Sequence, residues 1–134
     1  MNSKLEKISQ KHGLTLIVLF GSYSTGKTHL KSDLDIAVLS GSEDVDKLKL
    51  IFDFGDIFEK EIDLIVITKD TDPVLLYEIF SHGKLLYEKK EGLFMDQYLR
   101  AWHIYQDTEK IRRWQEQYLH QTAERLKNNV TTSS

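Results

Sequence analysis

Apolar positions along this chain switch repeatedly between helical and extended spacing, which predicts an alternating α/β domain. Leu5, Ile8 and His12 recur at helical steps over residues 3–12, and Gly13 stops that amphipathic opener. Leu14-Thr15-Leu16-Ile17-Val18-Leu19-Phe20 is apolar and β-branched, too short for an ordinary helix, and reads as a buried strand. Residues 21–32 hold two glycines and five Ser/Thr, hence a polar loop with at most one helical turn. Leu34 to Leu39 is a second strand, closed by Ser40-Gly41-Ser42. Ser42, with Glu43 and Asp44 behind it, reads as a helix start. Val45, Leu48, Ile51, Phe52 and Gly55 or Phe58 then mark one helical face. Glu61 to Ile67 is a third strand with its turn at Thr68 to Pro73. Asp72 before Pro73 is an N-cap with proline at the first helical position, and Leu75, Leu76, Ile79 and Phe80 are the apolar face behind it. His82-Gly83 ends that helix, and Lys84 to Glu88 is a short edge strand.

From Glu91 to Lys127 there is no proline, and no glycine after Gly92. Phe94, Tyr98, Trp102 and Tyr105, then Ile111, Trp114 and Tyr118, recur at three- and four-residue steps. This is one long helix, or two with a break near Gln106-Asp107. The pattern divides the chain into a core at 1–90, a helical extension at 91–127 packed on or projecting from it, and a polar tail at 128–134 expected to fray.

Composition narrows the function classes. At 134 residues the chain suits one domain with a real core, and the absence of cysteine excludes disulfide frameworks, thiolate metal sites and cysteine nucleophiles. Eighteen Lys+Arg against 21 Asp+Glu gives −3, not the footprint of a protein that wraps nucleic acid, so no direct nucleic-acid partner is expected. The longest apolar run, Leu14 to Phe20, is far short of the ~20 residues of a membrane helix, and the charged start lacks an apolar signal core. The expectation is a soluble, cytoplasmic domain.

Two motifs compete for the same glycines. Gly21-Ser22-Tyr23-Ser24-Thr25-Gly26-Lys27-Thr28 matches G-x-x-x-x-G-K-[ST] and follows a strand. A phosphate-cradling P-loop needs a long helix next, crossing to a parallel strand. Only His29, Leu30, Lys31 and Ser32 separate Thr28 from Asp33, whereas a parallel crossover takes a dozen or more residues. The P-loop reading is therefore rejected. The competing pattern is Gly21-Ser22, ten residues, then Asp33-Leu34-Asp35, with Asp63 in the next strand. Residues i and i+2 of a strand face one side, so Asp33 and Asp35 project together, and Asp63 can join them from a neighbour. Three converging carboxylates repel one another without a cation, and their hard oxygens favour Mg²⁺, which bridges carboxylates to phosphates. Two such ions roughly 3.5–4 Å apart can hold both oxygens of an in-line phosphoryl displacement. Gly21 lets the backbone approach a triphosphate, and Ser22 offers a hydroxyl and an amide. Asp33 alone reads equally as a turn residue, but Asp35 inside an apolar strand does not.

Gly21-Ser22-Tyr23-Ser24-x-Gly26 followed by Ser32-Asp33-Leu34-Asp35-Ile36-Ala37-Val38 resembles the polymerase-β-type nucleotidyltransferase superfamily, and in size and spacing its minimal nucleotidyltransferases, the MNT domains. The resemblance covers residues from about 5 to 90. It implies a core with a short mixed sheet flanked by helices, with Asp33 and Asp35 binding the metals. Asp63 would complete the triad and activate the acceptor hydroxyl, while Gly21 and Ser22 hold the nucleotide phosphates. Apart from the resemblance, Lys27 is within reach of a phosphate from the same loop, though most loop lysines are simply solvated. The resemblance also implies ATP as donor, Mg²⁺ as cofactor, and an antitoxin that transfers AMP to a tyrosine of a HEPN-domain ribonuclease toxin. A small-molecule acceptor, or neutralisation by binding alone, remains open on the residues themselves.

The five histidines (His12, His29, His82, His103, His120) show no metal-ligand spacing. On the C-terminal helix, Lys110, Arg112 and Arg113 interleave with Ile111 and Trp114, and Tyr118 follows one turn on. Solvated charges around a packed stripe describe most such helices. Trp and Arg are also the types enriched at interface hot spots, so a HEPN partner surface is placed there.

Overall fold

The computed structural model describes residues 2–21, 33–42 and 44–132. In chain order the elements are α1 (Asn2–His12), β1 (Leu14–Phe20), β2 (Leu34–Ser40), α2 (Lys47–Phe58), β3 (Ile62–Val66), α3 (Pro73–His82), β4 (Lys84–Glu88) and α4 (Leu93–Thr132). The sheet order is β3-β2-β1-β4. β1 pairs antiparallel with β2 and β4, and β2 pairs parallel with β3 through the α2 crossover that such a pair requires. The antiparallel β1–β2 pair is incompatible with a P-loop crossover, in agreement with the loop-length argument.

Apolar side chains on the two faces of the sheet build two core layers. Ile17, Leu34, Ile36, Val38 and Leu64 meet Leu5 and Ile8 of α1 and Leu50 and Phe54 of α2. Leu16, Val18, Ala37 and Ile67 meet Ile79 and Phe80 of α3 and Ala101 of α4. Central strands covered on both faces must be apolar throughout, which is why β1 reads as a continuous run. Leu14 joins the layer of Ile17 because the β1–β2 register shifts between Leu14 and Leu16, inverting the alternation.

One helix differs from its sequence reading. The start expected at Ser42 lies instead at Asp46, whose side chain accepts the Lys49 N–H at 3.2 Å. The buried face is Leu50 and Phe54, while Leu48 and Phe52, assigned to the core face, are 80% and 76% exposed. The apolar arc of α2 runs from Leu50 round to Phe52, so spacing alone left open which part of it faces the sheet. A latch fixes α1 to this helix: buried His12 Nε2 lies 2.8 Å from Asp53 Oδ2, which also accepts from Lys11 Nζ at 3.2 Å. The His12 hydrogen bond, with help from Lys11 and against partial burial, holds the Asp53 carboxyl below its ordinary value.

The α3 boundaries match expectation. Asp72 accepts from the N–H groups of Val74 (2.8 Å) and Leu75 (3.3 Å) with Pro73 at the first turn, and Gly83 closes the helix. α4 is continuous through Gln106-Asp107 and extends to Thr132, into the stretch expected to fray. Its start is clamped by Glu88, whose two carboxylate oxygens accept from Gly92 N–H (3.2 Å) and Phe94 N–H (2.9 Å). Phe94 and Tyr98 pack into the second layer, and Tyr105 stacks on Tyr77 of α3 at 4.3 Å. Beyond that point Ile111, Trp114, Tyr118, Leu119 and Leu126 are 57–65% exposed. No described helix is long and apolar enough to cross a membrane.

Candidate active site

The candidate site lies where β1 ends and β2 and β3 begin. Even-numbered β1 positions Leu16 and Val18 lie in the second core layer, so Phe20 continues onto that face. Antiparallel pairing sets Phe20 opposite Asp35, and parallel pairing sets Asp35 opposite Asp63. In β2, Leu34, Ile36 and Val38 occupy the first layer, so Asp35 shares the other face with Ala37. Asp63 takes the same side by the same alternation, since Leu64 points into the first layer. Two carboxylates, predicted only as neighbours, thus stand side by side across the parallel pair. Asp33 precedes β2 on the same side and is exposed.

The electrostatics follow from this register. Asp35 is pushed above the ordinary carboxylate value, first by partial burial, then by a hydrogen bond shared with Asp63, then by the negative charges of Asp63 and Asp33. A hydrogen bond between two carboxyls needs a proton on one of them, and like charges at this range cannot both ionise freely. Phe20, read from sequence only as a strand residue, is the apolar neighbour that sequence reasoning did not connect with the acids.

Gly21 closes the site. Its φ of +76° is a left-handed conformation that L side chains rarely adopt, and a Cβ there would overlap the Asp35 carboxylate. The glycine is therefore required by the aspartate as well as by any phosphate that approaches. Ser22 and Lys27, the other predicted phosphate contacts, lie outside the described residues.

Of the three acids expected to converge, Asp35 and Asp63 are in contact and Asp33 acts on Asp35 at longer range. Among the described residues no group of three or more His, Cys, Asp or Glu side chains stands in position to hold a metal as it is. The donor set still fits a divalent cation: the oxygens are hard, and a bound cation would offset both the burial and the neighbouring negative charges that raise Asp35.

This fold and edge define a nucleotidyltransferase core. The family described as Polymerase beta, Nucleotidyltransferase matches residues 3–92, and the chain belongs to it. Among particular relatives, protein adenylyltransferase MntA of Shewanella oneidensis is 34% identical over 76 residues, 55% of this chain and 54% of that protein. The chain thus matches about half the length of that curated relative. A chain of a toxin–antitoxin crystal structure with AMP-PNP superposes with a TM-score of 0.73 at 25% identity, covering 88% of this chain and 97% of that one. A complex of a tri-AMPylated Shewanella oneidensis HEPN toxin with its MNT antitoxin contains a chain of the same fold, with a TM-score of 0.66, 23% identity and coverage of 88% and 94%.

Proposed function

We propose that this chain is a protein adenylyltransferase that moves AMP from ATP to a tyrosine hydroxyl of a HEPN-type toxin, and so acts as its antitoxin. The observation that carries the reading is the Asp35–Asp63 carboxyl pair against Gly21 at the sheet edge, with Asp33 beside it. Its likeness to a protein adenylyltransferase and to a chain of a toxin–antitoxin complex with AMP-PNP supports the donor and the acceptor class.

Asp33, Asp35 and Asp63 would hold Mg²⁺, which when bound supplies positive charge to the triphosphate and to the developing charge in transfer. Gly21 lets the backbone lie close to the phosphates, and Ser22 and Lys27 supply further donors to them. The tyrosyl oxygen attacks the α-phosphorus, the bond to the bridging oxygen breaks, and pyrophosphate leaves. The hydroxyl proton passes to the Asp63 carboxylate, which is exposed on the edge strand and accessible to an incoming side chain. The remaining contribution is positioning, as is usual for phosphoryl chemistry.

The test is incubation with α-labelled ATP, Mg²⁺ and the product of the neighbouring gene as partner, beside an Asp33→Asn/Asp35→Asn variant. Label on a tyrosine of the partner, absent with the variant, is the expected result. Full neutralisation of the partner by the variant, with no label transferred by either protein, would overturn the catalytic reading.

A further inference from the structure

The packed seam of α4 continues in register past the body of the protein. Tyr98, Ala101, Tyr105, Thr108, Arg112, Gln115, Leu119, Thr122 and Leu126 follow alternating three- and four-residue steps, the spacing of a helix that keeps one face toward a partner helix. Up to Tyr105 that partner is α3. Past it, Leu119 and Leu126 of the seam are exposed, and Ile111, Trp114 and Tyr118 widen the apolar face on one flank. Trp114 and Tyr118 stack at 5.6 Å and 14°, a preformed aromatic ridge.

Arg112 marks where the two halves meet. Its guanidinium lies 4.8 Å over the Tyr105 ring, and its Nε and Nη2 are buried with no acceptor among the described residues. Glu109, one turn back, pairs with Arg113 instead, at 2.8 Å. This seam disfavours a second copy. A parallel pair brings Arg112 against Arg112, and an antiparallel pair centred on Leu119 buries Arg112 against Leu126. An acid on a different protein satisfies it.

We propose that α4 from Ile111 to Leu126 seats in a groove between two helices of the acceptor protein, with a carboxylate of that protein placed at Arg112. This rests on the adenylyltransferase reading for the identity of the partner. The wide apolar face suits a groove better than a single facing helix, and the Trp114–Tyr118 ridge with Arg112 supplies the residue types that anchor interfaces.

Docking is measured by calorimetry with the same partner protein, in an Asp33→Asn/Asp35→Asn background so that transfer does not intervene. Trp114→Ala and Leu119→Asp are expected to weaken binding by ~30-fold or more, as for hot-spot residues. Arg112→Glu is expected to weaken it by about tenfold or more and to remove most of its salt dependence. Phe52→Asp, on the other exposed apolar patch, leaves affinity within about twofold. Full affinity of Leu119→Asp, with helix content retained by circular dichroism, overturns the proposal, as does loss of binding in Phe52→Asp. A dimer of the chain alone in light scattering, dissociated by Leu119→Asp, also overturns it in favour of a second copy. Label transfer by the unaltered chain, with docking unaffected by these variants, sinks the docking proposal alone. Docking through α4 without any transfer sinks only the catalytic reading.

Discussion

The carboxylate edge of the sheet and the distal half of α4 are both left incomplete by folding, in opposite ways. At the edge, Asp35 and Asp63 are held together although their charges repel, and Asp35 is raised first by partial burial and then by that neighbour. On distal α4 the charges other than Arg112 are solvated or paired, and apolar area is left exposed instead. The first region calls for a small, hard, positive partner, the second for a large one with an apolar groove. Stability is forgone at one place through electrostatics and at the other through hydration, so the two respond to different perturbations.

The largest effect expected is on transfer. Asp35→Asn should lower AMP transfer by more than about 10²-fold in a label assay, since even outer partners of metal ligands are worth ~10–100-fold. Gly21→Ala tests the same edge from the backbone side. It should reduce transfer and lower the denaturation midpoint, because the added Cβ meets Asp35 and the left-handed backbone disfavours it by about 1–2 kcal/mol.

The α4 half of the contrast is sharpened by paired truncations in the isolated chain. Tyr98→Ala, in the packed half, should destabilise by about 3 kcal/mol in urea unfolding. Tyr118→Ala, on the exposed half, should change stability by no more than ~0.5 kcal/mol. Equal losses would mean that the distal half is packed in solution and would break the comparison.

Smaller effects come from pH. Asp35 binds its proton more tightly folded than unfolded, so stability falls as pH rises through the ordinary carboxylate range toward its raised value. Asp35→Asn should therefore unfold at a slightly higher temperature than the unaltered chain at neutral pH in chelator, and the difference should shrink with Mg²⁺. Asp53 has the opposite sign: its contribution is present above the ordinary carboxylate value and lost as pH falls through that value to its depressed one. Asp53→Asn should flatten the acid limb of a stability–pH curve, the smallest change expected.

Much of this was legible before any coordinates. The period-2 placement of Asp33 and Asp35, the Asp72-Pro73 cap and the strand runs are local signals, decided by residues within a few positions. The adjacency of Asp35 and Asp63 was only partly legible, because it depends on parallel register between strands far apart in sequence. The rotation of α2 was only partly legible, since Lys49, Asp53 and Asp56 mark its polar side but the apolar arc from Leu50 round to Phe52 is too wide to say which edge faces the sheet. α4 shows the same limit at larger scale. Tyr98 and Tyr118 sit on similar stripes, and only what stands opposite makes one core and the other surface.

The Glu88 clamp has a mechanical meaning. One carboxylate, gripping the amides of Gly92 and Phe94, anchors the hinge end of a helix of 40 residues, roughly 60 Å from end to end, whose bearing the packing on α3 as far as Tyr105 then holds. An angular error of about 5° at that hinge would swing the far tip by about 5 Å at this length. The residue that anchors the boom is thus remote from anything its tip touches, and Glu88→Ala, by freeing the Gly92 and Phe94 amides, should blur where a docked protein is held against the sheet edge without removing any contact to that protein.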